Sequence, residues 1–327
     1  MRKFRFLNRF SVMLFMMLPV LACTGQSSEN ADQESIKIEI SIAEVQEDLT
    51  YLSSDDLMGR KTGTQEIEDA AVFIEDKFEN FGLKPYFETY RDSFMVNDSH
   101  GFNIVGYLEG SDPELKDEFI IVGAHYDHIG SGKEVEGDTI ANGANDNAAG
   151  TVGVIQLAKF FAEKGENKRS IIFALFSGEE MGLKGSNHLA GKLKDKDLNL
   201  YVMFNLEMIG VPMKAKDYQA YLTGFDKSNL AEKFNEYSDG EKVLGFLPQA
   251  EQMSLFRRSD NYPFYENFHV PSQTVSTFDF SNYNYYHHVD DEVEFLDAEF
   301  MADLIEDLIP GLQKMANTPT KEIKMND

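Results

Sequence analysis

The sequence predicts an α/β fold, a three-layer αβα sandwich built on a mostly parallel, mixed central sheet. Short, continuously apolar runs recur along the chain, as expected for strands that are buried on both faces of a sheet. These runs alternate with segments of helical periodicity, which is the order that a parallel sheet with crossover helices requires. A chain of 327 residues is long enough to bury one large core or two modest ones.

The N-terminal segment is predicted to be an export signal. Four basic residues precede an apolar stretch that is too short to span a membrane comfortably. The stretch ends at Cys23, the only cysteine, in the context VLAC, which resembles the lipobox of bacterial lipoproteins. That resemblance implies a signal peptide over 1–22 and a lipidated Cys23. The protein would then be exported and anchored in a membrane of the bacterial cell envelope, facing the periplasm or the cell surface. A cleaved signal with an incidental cysteine is the alternative.

The rest of the chain is predicted to form one domain between two polar segments. Residues 23–38 have the composition of a tether, residues 39–316 form the domain, and the tail 317–327 is polar and expected to fray. Two helical patterns open the domain, and Gly82 supplies a stop signal after the second. The segment 211–258 has weak strand signals and mixed polarity, so we expect an insertion near the functional site.

The strands of the domain follow in chain order. The predicted strands are FNIVGYLEG, EFIIVGAHYD, SIIFALFSGEE, LYVMFNLEMIG, QAYLTGF and PSQTVSTF, and the helix NAAGTVGVIQLAKFFAEKG lies between the second and the third. The first four runs are mainly apolar and short, which favours buried strands over helices.

The charge balance disfavours nucleic acid as a partner. The chain has 30 basic and 56 acidic residues, a net charge of -26, and no cluster of Lys and Arg that would contact phosphates. Removal of 1–22 would leave 26 basic against 56 acidic residues, a net charge of about -30.

Three of the predicted strands are followed by residue types that bind metals. The residues concerned are His125, Asp127, His128, Glu179, Glu180 and Glu207. In open α/β sheets, ligands bind at the carboxyl ends of the strands, so these side chains are expected to converge on one crevice. Asp146, in the loop NGANDNAAG, and His287, in the tyrosine-rich segment NYNYYHHVDDEVEFLD, are placed to complete the site.

The residue types fit a pair of zinc ions. Zinc accepts imidazole nitrogen and carboxylate oxygen, and two ions about 3.5–4 Å apart can share one carboxylate and activate one water. About five protein ligands are then needed. The set that fits is His125, Asp146, Glu180, Glu207 and His287.

These segments resemble the M28 family of zinc aminopeptidases. The match consists of GAHYDH, NGANDNAAG, SGEEMGLKGS, NLEMIG, SDNYPF and YYHHVDDEVEFLD, in the family's order and approximate spacing, and YLSSDDLMGRKTGT also looks like the family's N-terminal stretch. The resemblance implies the zinc-dependent exopeptidase fold, two zinc ions per chain and peptide substrates that lose their N-terminal residue.

The resemblance also implies a role for each site residue. Asp146 bridges the two metals, His125 and Glu207 complete one site, and Glu180 and His287 complete the other. Glu179 is the general base for a metal-bridging hydroxide. Asp127 orients His125, and Tyr286 contacts the oxyanion of the intermediate.

Two positions depart from the family pattern. Glu207 stands where Asp is usual, and its extra methylene shifts the carboxylate. Asn261 stands where a His is common. We interpret His128 and His288 as structural or surface residues, and Asp290 and Asp291 as residues that cap or orient the loop carrying His287.

Three other functions are open. The first is a carboxypeptidase, which needs a buried arginine to hold a C-terminal carboxylate. Arg257 and Arg258 are the candidates for that role, although we interpret them as a solvated pair. A glutaminyl cyclase has a related fold with one zinc ion, but this chain has ligands for two and contains no Trp. A catalytically silent lipoprotein binding module is the non-enzymatic alternative, although every expected ligand is present.

Overall fold

The computed structural model describes residues 39–326. The predicted signal over 1–22, Cys23 and the tether over 23–38 lie outside these residues. No helix within 39–326 is long and apolar enough to cross a membrane.

The α-helices begin and end where the sequence supplies capping residues. Ser41 accepts a hydrogen bond from the N–H of Glu44, and Asp297 accepts one from the N–H of Phe300, at the starts of the first and last helices. Gly82 adopts the left-handed conformation at φ 81° and ends the second helix, as predicted. The helices are α1 (Ile42–Leu52), α2 (Gln65–Phe81), α3 (Ala149–Lys164), α4 (Lys184–Asp195), α5 (Leu230–Tyr237), α6 (Pro248–Gln252), α7 (Asn261–Phe268) and α8 (Ala298–Asn317).

The strands found in 39–326 are β1 (Lys84–Pro85), β2 (Arg91–Val96), β3 (Ser99–Leu108), β4 (Phe119–His125), β5 (Gly130–Val135), β6 (Asp138–Ala141), β7 (Ser170–Phe176), β8 (Leu200–Glu207), β9 (Ala220–Leu222), β10 (Leu244–Gly245) and β11 (Ser272–Ser276). Nine of them form the main sheet, in the order β1-β3-β7-β4-β8-β11-β9-β10, with β2 paired to β3. The remaining two, β5 and β6, pair with each other.

The centre of the sheet is parallel, and an antiparallel pairing flanks it on each side. Strands β7, β4, β8 and β11 are parallel neighbours, whereas β3 runs antiparallel to β7 and β9 runs antiparallel to β11. Every residue of β7 is buried, as its apolar run predicts. The predicted mixed, mostly parallel sheet is therefore confirmed.

Helices cover both faces of the sheet. Ile120 and Val122 pack into one core with side chains of α1, α2, α3 and α8. Ile121, which lies between them in β4, packs into a second core with Leu189 of α4 and Phe264 of α7. Because successive side chains of a strand point to opposite faces, this alternation shows a helix layer on each side. The predicted αβα sandwich is confirmed.

The segment 211–258 and the C-terminal tail are both packed parts of the domain. The segment 211–258, predicted to be an insertion, contributes β9 and β10 to the sheet and contains α5 and α6. The tail does not fray over 318–326. Ile323 is buried, Met325 forms a β-bridge with Ser228, and the main-chain oxygen of Thr318 accepts a hydrogen bond from Arg169.

Candidate metal centre

The carboxyl ends of three neighbouring strands meet at one edge of the sheet. β4 ends at His125 and β8 ends at Glu207, whereas β7 ends at Phe176, three residues before Glu179. Both β7 and β8 pair in parallel with β4, so side chains at and after these ends lie close together. The structure brings together the residues that the strand pattern placed here.

The first candidate metal group consists of His125, Asp146 and Glu207. His125 is fully buried, and its Nε2 atom lies 3.1 Å from Glu207 Oε1 and 3.4 Å from Asp146 Oδ1. One oxygen of each carboxylate and this nitrogen lie within 4.8 Å of one another. One imidazole nitrogen and two carboxylate oxygens are a donor set that zinc accepts.

The second candidate group surrounds Glu180. Asp146, Glu180 and His128 offer ligand atoms within 4.8 Å of one another, and His287 reaches the same carboxylates. His287 Nε2 lies 3.1 Å from Glu180 Oε2 and 3.3 Å from Asp146 Oδ2. His128 Nδ1 lies 2.9 Å from Glu180 Oε1. Each oxygen of Glu180 therefore faces a different histidine.

Asp146 belongs to both groups because its Oδ1 atom faces His125 and its Oδ2 atom faces His287. The loop that carries Asp146 is held by Asp291, from a distant part of the chain. The Asp291 carboxylate accepts hydrogen bonds from the N–H groups of Asn145, at 2.8 Å, and Asp146, at 3.0 Å. Tyr283 donates its hydroxyl to the same carboxylate at 2.6 Å. Asp291 thus orients the loop that carries Asp146, whereas the sequence predicts that it caps or orients the loop of His287.

Asn147 connects the Asp146 loop to the end of β8. Its side-chain nitrogen donates to the main-chain oxygen of Leu206 at 3.0 Å, and its side-chain oxygen accepts from the N–H of Met208 at 2.9 Å. Leu206 and Met208 flank Glu207. Asn147 therefore fixes the position of Asp146 relative to Glu207, the other carboxylate of the first group.

Asp127 contacts both His125 and the Glu179 main chain. His125 Nδ1 lies 3.1 Å from the main-chain oxygen of Asp127 and 3.7 Å from its carboxylate. That carboxylate instead accepts hydrogen bonds from the hydroxyl of Thr62, at 3.0 Å, and from the N–H of Glu179, at 3.2 Å. Asp127 therefore holds the imidazole mainly through its backbone, and it also fixes the Glu179 backbone.

The two adjacent glutamates have opposite electrostatic environments. Burial raises the pKa of Glu179 well above its usual range, and the nearby Glu207, Asp260 and Glu180 raise it further despite the opposing effect of His125. Burial also acts to raise the pKa of Glu180, but hydrogen bonds with His128 and His287 outweigh it and hold this pKa below its usual range. Glu180 is therefore ionised and hydrogen-bonded.

Carboxylates of the site raise the pKa values of His287 and His125. Burial acts to lower the pKa of His287, but its contacts with Asp146 and Glu180 raise this pKa to about 10. The pKa of His125 also lies well above its ordinary value, because Glu207 and Glu179 outweigh the effect of burial. Tyr286 stacks on His287 with ring centroids 4.0 Å apart, and burial raises the pKa of its hydroxyl, which stays protonated.

Asp260 and Arg60 were not assigned to the site from the sequence, and of the two interpretations of His128, structural or surface, the structure supports the first. His128 is fully buried and faces Glu180. Asp260 is also fully buried, and neither of its oxygens has a hydrogen-bond partner in the described part of the chain, while burial raises its pKa to about 7. Arg60, buried under the site, donates to four main-chain oxygens. The motif SDNYPF was the only signal for Asp260, and DDLMGRKTGT the only one for Arg60.

The donor set fits divalent cations. Six carboxylates interact at this sheet edge, and we refer to them as the carboxylate cluster: Asp127, Asp146, Glu179, Glu180, Glu207 and Asp260. Within 39–326, no Lys or Arg forms an ion pair with any member of the cluster. Histidines are the basic side chains that contact the cluster in this range. Because buried charges are stable only when they are paired or bind metal, a carboxylate-rich site of this kind suits bound cations.

The chain matches the model of peptidase family M28 over residues 103–309. That match covers more than half of the chain, including every candidate metal ligand. The chain belongs to peptidase family M28.

Relatives of this M28 chain carry peptidase names. A probable zinc metalloprotease of Pyrenophora tritici-repentis is 40% identical over 158 residues, which is 47% of this chain and 34% of that protein. A probable leucine aminopeptidase of Arthroderma otae is 30% identical over 205 residues, which is 61% of this chain and 52% of that protein. The aligned part of this M28 chain thus spans between about a third and about half of the length of these relatives.

Solved structures share the M28 chain's fold at low identity. A zinc aminopeptidase from Bacillus subtilis has a TM-score of 0.67 at 15% identity and covers 86% of this chain and 96% of its own. A glutaminyl cyclase from Porphyromonas gingivalis has a TM-score of 0.66 at 14% identity and covers 85% of this chain and all of its own, 100%. Because both enzymes match about equally well, the fold alone does not separate their two reactions.

Proposed function

We propose that the chain is a zinc metallopeptidase that removes N-terminal residues from peptides. The observation that carries the proposal is the pair of candidate metal groups that share Asp146. A carboxylate shared between two metal ions is the arrangement of two-metal hydrolases. Family membership and the names of the relatives support the same reaction.

The distances support an assignment of ligands to two zinc ions. His125 and Glu207 would hold one ion, Glu180 and His287 the other, and Asp146 would be shared by both. His128 contacts Oε1 of Glu180, the oxygen that does not face His287, and would fix the direction of that carboxylate. Zinc at these positions would polarise the scissile carbonyl and make a water molecule more acidic.

Glu179 is the proposed general base. It lies next to Glu180 in the chain but belongs to neither candidate metal group, so its carboxylate is left to accept a proton. It would take a proton from the attacking water and deliver it to the departing amine. The N–H of Glu179 is held by Asp127, which positions the base.

Two further groups suit the reaction. The Tyr286 hydroxyl, protonated at all ordinary pH values, would donate a hydrogen bond to the oxyanion of the tetrahedral intermediate. The carboxylate cluster favours a positively charged group, so the free ammonium of a peptide N-terminus is attracted to the site. This preference for a free amine supports an exopeptidase that acts from the N-terminus.

The test uses aminoacyl p-nitroanilides with the zinc-loaded protein, before and after thorough chelation. We expect release of p-nitroaniline from the free-amine substrates, loss of the activity after chelation and its recovery when zinc is restored. The N-acetylated substrate is the control, since it lacks the ammonium and should not be cleaved. Activity that survives complete zinc removal would overturn the proposal.

A glutaminyl cyclase is the second candidate, because the Porphyromonas gingivalis enzyme shares the fold. The two candidates differ in metal content and product. Two zinc ions per chain with peptide cleavage support the peptidase. One zinc ion per chain, with an N-terminal glutamine converted to the cyclic product and no peptide cleaved, would support the cyclase instead.

A further inference from the structure

A pocket opens directly beside the first metal group. Its volume is about 430 Å³, including the part that is open to solvent, and Glu207 and Tyr286 form the side nearest the metal groups. Met208, Leu255 and Phe278 contribute apolar walls. A peptide whose carbonyl lies at the metal groups would place the neighbouring side chain in this pocket. The residues of the pocket are therefore placed to select that side chain.

Arg258 is the one basic residue in the wall of this pocket. Its side chain is exposed, and within 39–326 no carboxylate lies within 4.0 Å of its guanidinium. Its neighbour Arg257 is different, because it lies over the ring of Tyr262 and lines a separate groove. A carboxypeptidase would need a buried arginine, and Arg258 is not buried. Its unpaired charge at the pocket is therefore free for a ligand from solution.

Three hydroxyls of the pocket already donate within the protein. The Tyr221 hydroxyl donates to the main-chain oxygen of Phe278 at 2.8 Å, and the Thr274 hydroxyl donates to Asn261 at 2.8 Å. The Ser259 hydroxyl donates to Glu207. Among the described residues that line the pocket, Arg258 is the one cationic donor that an entering carboxylate would meet, and guanidinium and carboxylate form strong, geometrically defined pairs.

We propose that Arg258 makes the site selective for peptides whose N-terminal residue has an acidic side chain. This inference rests on the proposed aminopeptidase function and adds its substrate class. The apolar walls would contact the methylene groups of a glutamate, and Arg258 would pair with its carboxylate. A lysine or arginine side chain in the same pocket would be repelled by Arg258. Selectivity of this kind combines attraction for one class with repulsion of another.

The test compares glutamyl and glutaminyl p-nitroanilides, which have nearly the same shape but differ in charge. The readout is the ratio of the two kcat/KM values. A general loss of folded or zinc-loaded protein lowers both values by the same factor and leaves the ratio unchanged. We expect the wild type to prefer the glutamyl substrate, and R258Q to lower the ratio by about 10-fold or more, as for the loss of a charge-assisted hydrogen bond. R258K should retain part of the preference, and raised ionic strength should reduce it.

The matched control is R257Q, which removes the same charge one residue away without touching the pocket. Its ratio should equal that of the wild type. If the zinc-loaded wild type cleaves leucyl and glutaminyl substrates but shows no preference for glutamyl, or a preference that R258Q leaves intact, this inference fails alone. If no aminoacyl p-nitroanilide is cleaved, the proposed function fails and this inference fails with it.

Discussion

Glu179 and Glu180 are adjacent residues with different partners. Glu180 contacts two histidines, which stabilise its charge. Burial raises the pKa of Glu179, and the nearby carboxylates add to this rise despite the opposing effect of His125. Neighbouring residues just after a strand end can point in different directions, so one side chain can bind metal while the other faces the substrate. Two bound dications would relieve the repulsion between them.

Glu179→Gln should separate these two roles. The amide keeps the shape of the side chain but cannot accept the proton, so we expect kcat to fall by about 10²–10⁴-fold, the usual contribution of a general base. Zinc content should stay at the wild-type level, because Glu179 has no ligand contact. Steady-state kinetic assays measure kcat, and metal analysis of the purified variant measures its zinc content.

Glu166→Gln, at an exposed position, is the control and should behave as wild type. A Glu179→Gln variant with full activity would refute the role assigned to Glu179. A variant that loses zinc along with activity would show instead that Glu179 acts as a ligand.

Residue-level prediction succeeded where chain direction and residue type were enough. His125 and Glu207 are the last residues of parallel strands, so their convergence follows from the sheet alone. The same rule placed His128 at this edge of the sheet, but its contact with Glu180 depends on how its loop turns back. Asp260 precedes a helix that the sequence pattern did not place. The contacts of both side chains therefore depend on tertiary packing.

At the scale of elements, Arg60 connects the N-terminal part of the domain to the metal loops. Its guanidinium donates to main-chain oxygens of Tyr126 at 2.8 Å, Asn142 at 2.7 Å and Gly143 at 2.9 Å, and also to Leu52. Tyr126 lies next to His125, and Gly143 precedes the turn that carries Asp146. One buried side chain therefore holds α1 and two ligand-bearing segments together.

Arg60→Lys should weaken both the fold and the metal centre. An ammonium group cannot reach four carbonyl oxygens, and each buried acceptor that loses its donor costs about 1–3 kcal/mol. We expect the free energy of unfolding to fall by about 2–5 kcal/mol, with zinc bound at least 10-fold more weakly. Urea denaturation and competition with a zinc-binding dye measure these two quantities.

Arg169→Lys is the matched control for this prediction. Arg169 is equally buried and donates to main-chain oxygens of Met315 and Thr318, but it lies by the C-terminal tail. It should lose stability while its zinc affinity stays at the wild-type level. Unchanged zinc affinity in Arg60→Lys would mean that Arg60 supports only the fold.

The sequence predicted elements well where local pattern decides them. Continuous apolar runs identified the central strands, because burial on both faces leaves no polar positions. The run QAYLTGF predicted β9, but β10 was not predicted. The two strands have three and two residues, and their place in the sheet depends on partners far along the chain. The packed tail was missed for the same reason, since its polar sequence is held by contacts with distant residues.

At the scale of the whole molecule, the protein carries a net charge of -26 and concentrates buried carboxylates at one site. The metal-free site retains protons, because the pKa values of Glu179, Asp260 and His287 are all raised. A raised folded-state pKa stabilises the fold below the ordinary pKa of the group, and this contribution is lost as the pH rises through the folded value. The metal-free protein should therefore lose stability as the pH rises.

Zinc should stabilise the protein more at high pH than at low pH. Zinc binds unprotonated imidazole and carboxylate, so its binding releases protons and strengthens as the pH rises toward about 10, the pKa of His287. We expect the difference in Tm between zinc-loaded and chelated protein to increase from pH 6 to pH 9. Differential scanning calorimetry of both forms at three pH values tests this, and a difference that shrinks over the same range would contradict it.

The short segment 287–291 has two duties at once. At one end, His287 contacts Glu180 and the Asp146 carboxylate, and at the other end Asp291 grips the backbone that carries Asp146. One short segment therefore positions both a candidate ligand and the loop of the carboxylate that the two candidate groups share. A displacement of this segment would shift His287 and Asp146 together. The distance between these two side chains would then change less than the position of either.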